Sequence, residues 1–392
     1  MMNNDDMRNR SRLQRIARRA MLERDMIPEF PPEVFAELDR IGAAAKPEET
    51  VRDLRHLLWC SIDNDDSLDL DQLTVAEDLG GGAVKVLVAI ADVDAVARKN
   101  SAIDGYARQN TTSVYTAAEI FPMLPEKLST DLTSLNYNSD RMAVVIEMML
   151  DVKGSLQSSD IYRALVCNRA KLAYNSTAAW LEGEGPVLQA VTAVSGLEAN
   201  IRLQDSAARK LKALRFQLGA LDFETIQARP VFEGEELKDL ESERSNRAKD
   251  IIEDFMIAAN GVTARYLADR KFPSIRRIVR IPKRWDRIVE LAAERGTKLP
   301  VEPDSKALEK FLLAEKTADP LRFPDLSLSV IKLLGKGEYV VELPGQKRLR
   351  PFRAGGQGLY PFNRAEPSFP RSDHPAAAES GNRGTSNTVP GR

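Results

Sequence analysis

Five aspartates stand within nine residues, Asp63, Asp65, Asp66, Asp69 and Asp71, in the stretch SIDNDDSLDLDQL over 61–73. Carboxylates at that density repel one another unless cations or hydrogen-bond donors neutralise them, so the stretch reads as a loop. Its flanks, LLWCSI and QLTVAED, are apolar and β-branched and read as strands. Leu68 and Leu70 alternate with the aspartates, as if one side of the loop packs inward. Hard oxygen ligands in such number suit Mg²⁺, and two such ions can organise phosphodiester hydrolysis. A calcium loop starting at Asp63 would need glycine sixth and glutamate twelfth, where this chain has Leu68 and Thr74. A solvated acidic turn stays open on the loop alone.

Along the chain the apolar period changes twice. The stretch LQRIARRAMLERDMI reads as a helix ended by Pro28 and Pro31–Pro32, and PPEVFAELDRIGA starts another with proline in its first turn. Strands follow at LLWCSI, QLTVAED, AVKVLVAIADV and AVVIEMMLDV, with Gly80–Gly82 as a hairpin turn. From residue 160 onward the spacing predicts helices over IYRALVCNRAKLAYNSTAAWLEG, GLEANIRLQDSAARKLKALRFQ and SNRAKDIIEDFMIAANGVTARYLADR, interrupted by a short strand pair around GALDFETIQARPVF. The sum is an α+β fold, a mixed sheet region packed by helices and preceded by a short helical extension. We divide it at 1–48 for the extension, 49–345 for the core and 346–392 for a tail.

Composition narrows the chemistry. Only His56 and His374 occur, which argues against a histidine-dependent nuclease, a His-ligated zinc site or a Ser–His–Asp triad. No GxxxxGK(S/T) phosphate loop is present, so no nucleotide cofactor is expected. No apolar run is long enough for a membrane span, and the Arg-rich start lacks the apolar stretch of a signal peptide. Cys60 and Cys167 lie in apolar surroundings and read as buried thiols, consistent with a cytoplasmic location. The net charge of −2 conceals two basic clusters, Arg8, Arg10, Arg12, Arg15, Arg18 and Arg19, and Arg276, Arg277, Arg280, Lys283 and Arg284. Either can be polyanion-binding surface or a solvated helix face.

The loop is one of several ordered motifs, and together they resemble the ribonuclease II / ribonuclease R (RNB) family. SIDNDDSLDLDQ matches that family's strand ending in (S/T)-I-D and its loop closing in D-x-D-D. IADV, TSVY, MLP, LS, SL and DR then follow in family order over 88–148, and NRAKLAYNS, GALDFET and IIEDFMIAANGVTARYL extend the resemblance to about residue 340. It implies Asp63, Asp69 and Asp71 as metal ligands, with Asp71 and Glu253 at the reaction centre near the RNA end. Tyr174 would stack on an RNA base, with Tyr115 and Arg141 as further RNA contacts. The implied activity is Mg²⁺-dependent (Mn²⁺ as substitute) 3′-to-5′ hydrolysis of single-stranded RNA to 5′-nucleoside monophosphates. An aromatic residue for base stacking and local basic clusters agree with such a substrate.

Three departures qualify that expectation. Asp71 is followed by Gln72, where the family usually has a second aspartate; the amide can support a metal-bound water but carries no charge. The cold-shock and S1 modules that often flank this core in relatives are expected to be absent, leaving the grip on substrate to the core channel. From Arg350 the chain has six prolines and six glycines, and only Leu359 and Val389 among its Leu, Ile and Val. Such a stretch cannot bury enough apolar surface to order itself. Back-translated from Pro351, it can encode in the next frame HFGLAVKDY and then THSTAPNRRFPDLITQRL, like the family segment whose arginine meets the phosphate. A frameshift between Pro344 and Pro351 is the expectation, with an RNA-binding but catalytically impaired remnant as the alternative to an active exoribonuclease.

Overall fold

The computed structural model describes residues 4–116, 119–221, 223, 227–233, 236–243, 245–279 and 282–344. The tail expected over 346–392 lies outside the described residues. Helix α1 (Asn4–Leu22) and the short α2 (Pro32–Leu38) come first, the latter opened by proline as the sequence predicts. Four strands follow, β1 (Arg52–Asp53), β2 (Cys60–Asp63), β3 (Gln72–Gly80) and β4 (Ala83–Ala91). Gly80, Gly81 and Gly82 all have positive φ, which makes the tight β3–β4 turn accessible to glycine at no steric cost. Helix α3 (Ala102–Asn110) and the small hairpin β5 (Val114–Tyr115) with β6 (Ile120–Phe121) precede the long β7 (Asp140–Leu150).

At the next step the sequence reading needs correction. IYRALVCNRAKLA is not helical: β8 (Leu156–Cys167) and β9 (Ala170–Ala173) occupy it, and helix α4 begins only at Tyr174 and runs to Glu182. The competing force is strand pairing. Residues 140–150 need an antiparallel partner, and β8 supplies it, with Ile161 opposite Ile146 and Tyr162 opposite Val145. Its Ile, Tyr and Val side chains suit a pleated surface better than a helix. The reversal between the two strands is fixed by Asp151, whose carboxylate accepts from the backbone N–H groups of Lys153 (2.9 Å) and Ser155 (2.8 Å).

Helices α5 (Gln189–Thr192) and α6 (Leu197–Gln217) come next, then a hairpin of β10 (Gln227–Glu233) and β11 (Glu236–Glu243). The strand pair is therefore present but lies C-terminal to GALDFET, whose described residues Gly219, Ala220, Leu221 and Phe223 are not in a strand. Helix α7 (Arg247–Asp269) matches the predicted helix, and β12 (Ser274–Ile278), α8 (Trp285–Ala293), α9 (Ser305–Ala318), α10 (Phe323–Leu334) and β13 (Glu338–Glu342) complete the described chain.

Seven strands form one mixed sheet in the order β1-β8-β7-β4-β3-β2-β9. Its two outer pairings, β1 with β8 and β2 with β9, are parallel, and the rest are antiparallel. One face carries Val84, Val86, Val88, Ile146 and Met148 and is covered by Ala207 of α6 and Ile251, Phe255 and Val262 of α7. The other face carries Leu73, Val75, Leu87, Ala89 and Val145, closed by Trp59, Leu70 and Leu135. A further core around Trp285, Phe311, Phe323 and Val330 joins α8, α9 and α10. Among the described residues no helix is long and apolar enough to cross a membrane.

Candidate active site

Strand β2 ends at Asp63, and alternation along it sets the geometry. Cys60 and Ile62 turn toward α4, α6 and α7, packing with Ala178, Ile201, Ala248 and Ile252. Ser61 and Asp63 therefore point to the opposite face. There the Asn168 amide, fully buried, donates to Ser61 Oγ (3.0 Å) and to the Leu135 carbonyl (3.0 Å), while its own oxygen accepts from Ala170 N (3.1 Å). The parallel neighbour β9 puts Ala173 beside Asp63, so Tyr174, the first residue of α4, lies at the same end of the sheet.

The acidic loop leaves this end and is held at several points. Asp63 accepts from Asn64 N (2.7 Å) and Ser67 Oγ (3.0 Å). Lys171 Nζ on β9 donates to the Ser67 carbonyl (2.6 Å), Leu135 N to the Leu70 carbonyl (2.7 Å) and Ala91 N to the Asp71 carbonyl (3.0 Å). Of the two leucines expected to pack inward, only Leu70 does, at 2% exposure; Leu68 is 60% exposed. The difference follows from Leu70 lying next to the first residues of β3, over the Trp59–Leu135 core.

Asp65 and Asp66 are exposed, whereas Asp63, Asp69 and Asp71 are half-buried. Burial raises the Asp63 carboxyl, the Asn64 N–H and Ser67 hydroxyl pull it back down, and the charges of Asp71 and Asp69 add to the rise. Asp63 thus lies within electrostatic reach of the other two predicted ligands, a concentration of negative charge that a cation would relieve. Among the described residues no three His, Cys, Asp or Glu side chains are gathered closely enough to cage an ion. Mg²⁺ commonly takes only one or two carboxylates and keeps several waters. The hard oxygen donors of this loop therefore fit that ion. Gln72 is buried as the first residue of β3, paired with Ile90.

The remaining predicted residues distribute around this end. The ring of Tyr174 packs on the α4–α6–α7 core, and Lys249 Nζ of α7 lies 5.7 Å from its centroid. Glu253, one turn further along α7, is half-buried, and its charge reaches Asp254. Asp254 is buried and pairs with Arg215 of α6; burial pushes its carboxyl up to about 7, against the downward pull of Arg215 and Lys212. Tyr115 is 53% exposed in the β5–β6 hairpin. Arg141, expected as an RNA contact, turns its guanidinium onto main-chain carbonyls, Ser134 at 3.0 Å and Asp131 at 3.2 Å. The basic clusters are also partly neutralised: Arg18 pairs with Glu29 and Glu119, Arg19 with Glu23, and the buried Arg276 with Glu342.

Sequence reasoning missed Ser134, Asn168 and Lys171 as parts of this frame. Their signal was present, since each sits in a motif noted for its resemblance, the SL following LS and the NRAKLAY stretch. Both cysteines are free and buried as expected, and burial pushes the Cys60 thiol up to about 11, leaving it inert.

The family model for the RNB domain matches residues 51–355. This chain belongs to the RNB family. Among its relatives, Ribonuclease R of Vibrio parahaemolyticus is 34% identical over 257 residues, covering 65% of this chain and 30% of the relative. Ribonuclease R of Aquifex aeolicus is 31% identical over 292 residues, covering 72% of this chain and 41% of the relative. For Ribonuclease R of Escherichia coli K12 the figures are 35% over 228 residues, 58% of this chain and 28% of that protein. The RNB chain thus spans well under half the length of these curated relatives. Its fold matches RNase R of Mycoplasma genitalium in complex with ribose-methylated single-stranded RNA, at a TM-score of 0.76 and 23% identity over 86% of this chain and 52% of that one. An active-site mutant of the Dss1 exoribonuclease from Candida glabrata gives a TM-score of 0.61 at 14% identity, over 85% of this chain and 43% of that one. These structural likenesses speak for the RNB fold.

Proposed function

We propose that residues 49–345 form the catalytic core of a 3′-to-5′ exoribonuclease that hydrolyses single-stranded RNA to 5′-nucleoside monophosphates. What supports the reading most is the acidic loop itself, fastened at one sheet end by directed hydrogen bonds, with the charges of Asp69 and Asp71 acting on Asp63. Asp63, Asp69 and Asp71 would hold Mg²⁺, or Mn²⁺ in its place, with Gln72 as a neutral neighbour. When bound, the metal supplies a nucleophilic hydroxide and charge stabilisation at the departing oxygen. The protein's own part is to fix the carboxylates, bring in the RNA end and orient it. Tyr174 offers an aromatic platform for a terminal base, with Lys249 beside its ring for a phosphate, and Tyr115 offers a second exposed ring. Glu253 would orient the RNA end by accepting from its hydroxyls. Arg141 would be a further RNA contact, its guanidinium steadied by the Ser134 and Asp131 carbonyls. The P–O3′ bond breaks, giving a mononucleotide and an RNA one residue shorter with a free 3′ hydroxyl.

Residues 1–48 would be an extension that precedes this core, with Val34 packed against Val93, Ile103 and Leu128. Two buried free thiols support a reducing, cytoplasmic setting. The second reading, RNA binding without turnover, is favoured by the uncharged Gln72 at the closing position of the loop. Incubating the chain with 5′-labelled and with 3′-labelled single-stranded RNA and Mg²⁺ separates them. The exoribonuclease reading expects progressive shortening of the 5′-labelled RNA and labelled mononucleotide from the 3′ label. Retention of intact RNA in a salt-sensitive complex, with no product at any Mg²⁺ or Mn²⁺ concentration, establishes the second reading instead.

A further inference from the structure

Asp69 sits between two residues whose main-chain groups meet one side chain from a distant part of the sequence. Ser134 Oγ accepts from Leu70 N (3.0 Å) and lies 2.9 Å from the Leu68 carbonyl, to which it can donate. Its single hydroxyl hydrogen has a second acceptor in Asn136 Oδ1 at 3.1 Å, itself held by an Asn136 Nδ2 bond to the Thr130 carbonyl (3.0 Å). The hydroxyl is buried, with Ser134 only 2% exposed, so water does not compete for these bonds. Next in the chain, Leu135 N donates to the Leu70 carbonyl at 2.7 Å. Behind Ser134, Arg141 holds the Ser134 carbonyl at 3.0 Å, and Asn168 holds the Leu135 carbonyl at 3.0 Å. The segment that grips the acidic loop is therefore itself gripped from the sheet.

We infer that Ser134 is a positioning residue for the metal-binding carboxylates. By bridging the peptide groups on either side of Asp69 it fixes where that carboxylate points, and through Leu70 it sets the spacing to Asp71. Five aspartates in nine residues would otherwise spread apart by repulsion. The inference rests on the metal reading of the loop given above. It makes the affinity for a divalent ion depend on a hydroxyl that never touches the ion.

The test is Mn²⁺ binding to the full chain without RNA, followed through the EPR signal of free Mn²⁺, for the wild type, Asp71→Asn, Ser134→Ala, Ser134→Cys and Ser134→Thr. Losing the bridge should weaken Mn²⁺ binding about tenfold in Ser134→Ala, within the range for residues that orient metal ligands. Ser134→Cys keeps the volume but bonds weakly, so it should behave like Ser134→Ala, whereas Ser134→Thr keeps the hydroxyl and should recover most of the affinity. Binding of single-stranded RNA in EDTA should stay at the wild-type level in all three. Wild-type Mn²⁺ affinity in a folded Ser134→Ala or Ser134→Cys overturns the inference, as does a folded Ser134→Thr as weak as Ser134→Ala. Should Ser134→Ala fail to fold, by far-UV circular dichroism, Ser134→Cys decides. If the wild type binds no Mn²⁺, or Asp71→Asn binds it equally well, the metal reading itself fails and takes this inference with it.

Discussion

The two faces of the seven-stranded sheet are held by different physics. The face under α6 and α7 is closed by apolar packing of Phe255, Ile251, Val86 and Met148, which is large in sum and indifferent to direction. At the β2 end of the other face, the groups nearest the acidic loop are polar and individually directed: Ser134 to Leu68 and Leu70, Asn168 to Ser61 and Leu135, and Lys171 to Ser67. The first face supplies stability and the second supplies aim. A buried apolar cluster tolerates small shifts, whereas carboxylates that share an ion need fixed vectors, and only hydrogen bonds with defined donors and acceptors provide those.

The comparison can be broken most forcefully on the helical face. Phe255→Ala removes a fully buried ring and should lower the unfolding free energy by about 3–5 kcal/mol in urea titration. Mn²⁺ affinity of the molecules that remain folded should not change; a parallel loss of affinity would show that the two faces are not separate in this sense. On the polar face, Asn168→Ala leaves Leu135 O and Ala170 N without their buried partner and should cost about 1–3 kcal/mol. Here Mn²⁺ affinity should fall as well, and an unchanged affinity would count against the frame.

A different test concerns pH. Asp254 has its carboxyl raised by burial to about 7, so the folded state holds that proton more tightly than the unfolded chain does. Its contribution to stability is therefore present at low pH and lost as pH rises from about 4 to about 7. Asp254→Asn should remove that slope, worth at most about 1.4 kcal/mol per pH unit, from stability measured across this window. Parallel curves for the two proteins would show that Asp254 is charged throughout. The smallest change is expected at Leu68, which is exposed despite its place in the loop. Leu68→Ser should alter stability by less than about 0.5 kcal/mol in the same urea assay. A larger loss would mean that its side chain packs after all.

Much of this architecture is legible in the sequence where one period dominates. The strands β3, β4 and β7 and the helices α6 and α7 follow from alternation and from 3.6-residue spacing. Strand β8 does not, because IYRALVC carries apolar residues that suit either element until β7 is there to pair with it. In the site, the charge density of 63–71 is enough to single out the aspartates from the sequence. Ser134 and Asn168 act on groups 64 to 66 and 107 residues away in the chain, so their motifs mark the residues but not the bonds they make. The bonds of Arg141 to the Ser134 and Asp131 carbonyls are likewise not legible in the sequence.

The central claim is that the acidic loop is the reaction centre, and Asp71→Asn tests it most directly. Single-turnover degradation of 5′-labelled single-stranded RNA should be measured for both proteins at saturating enzyme and Mg²⁺. The account predicts RNA affinity in EDTA close to that of the wild type and a cleavage rate lower by about 10² or more. A rate within twofold of a wild-type chain that does cleave RNA would contradict it, because the reaction would then proceed without the carboxylate on which this assignment turns.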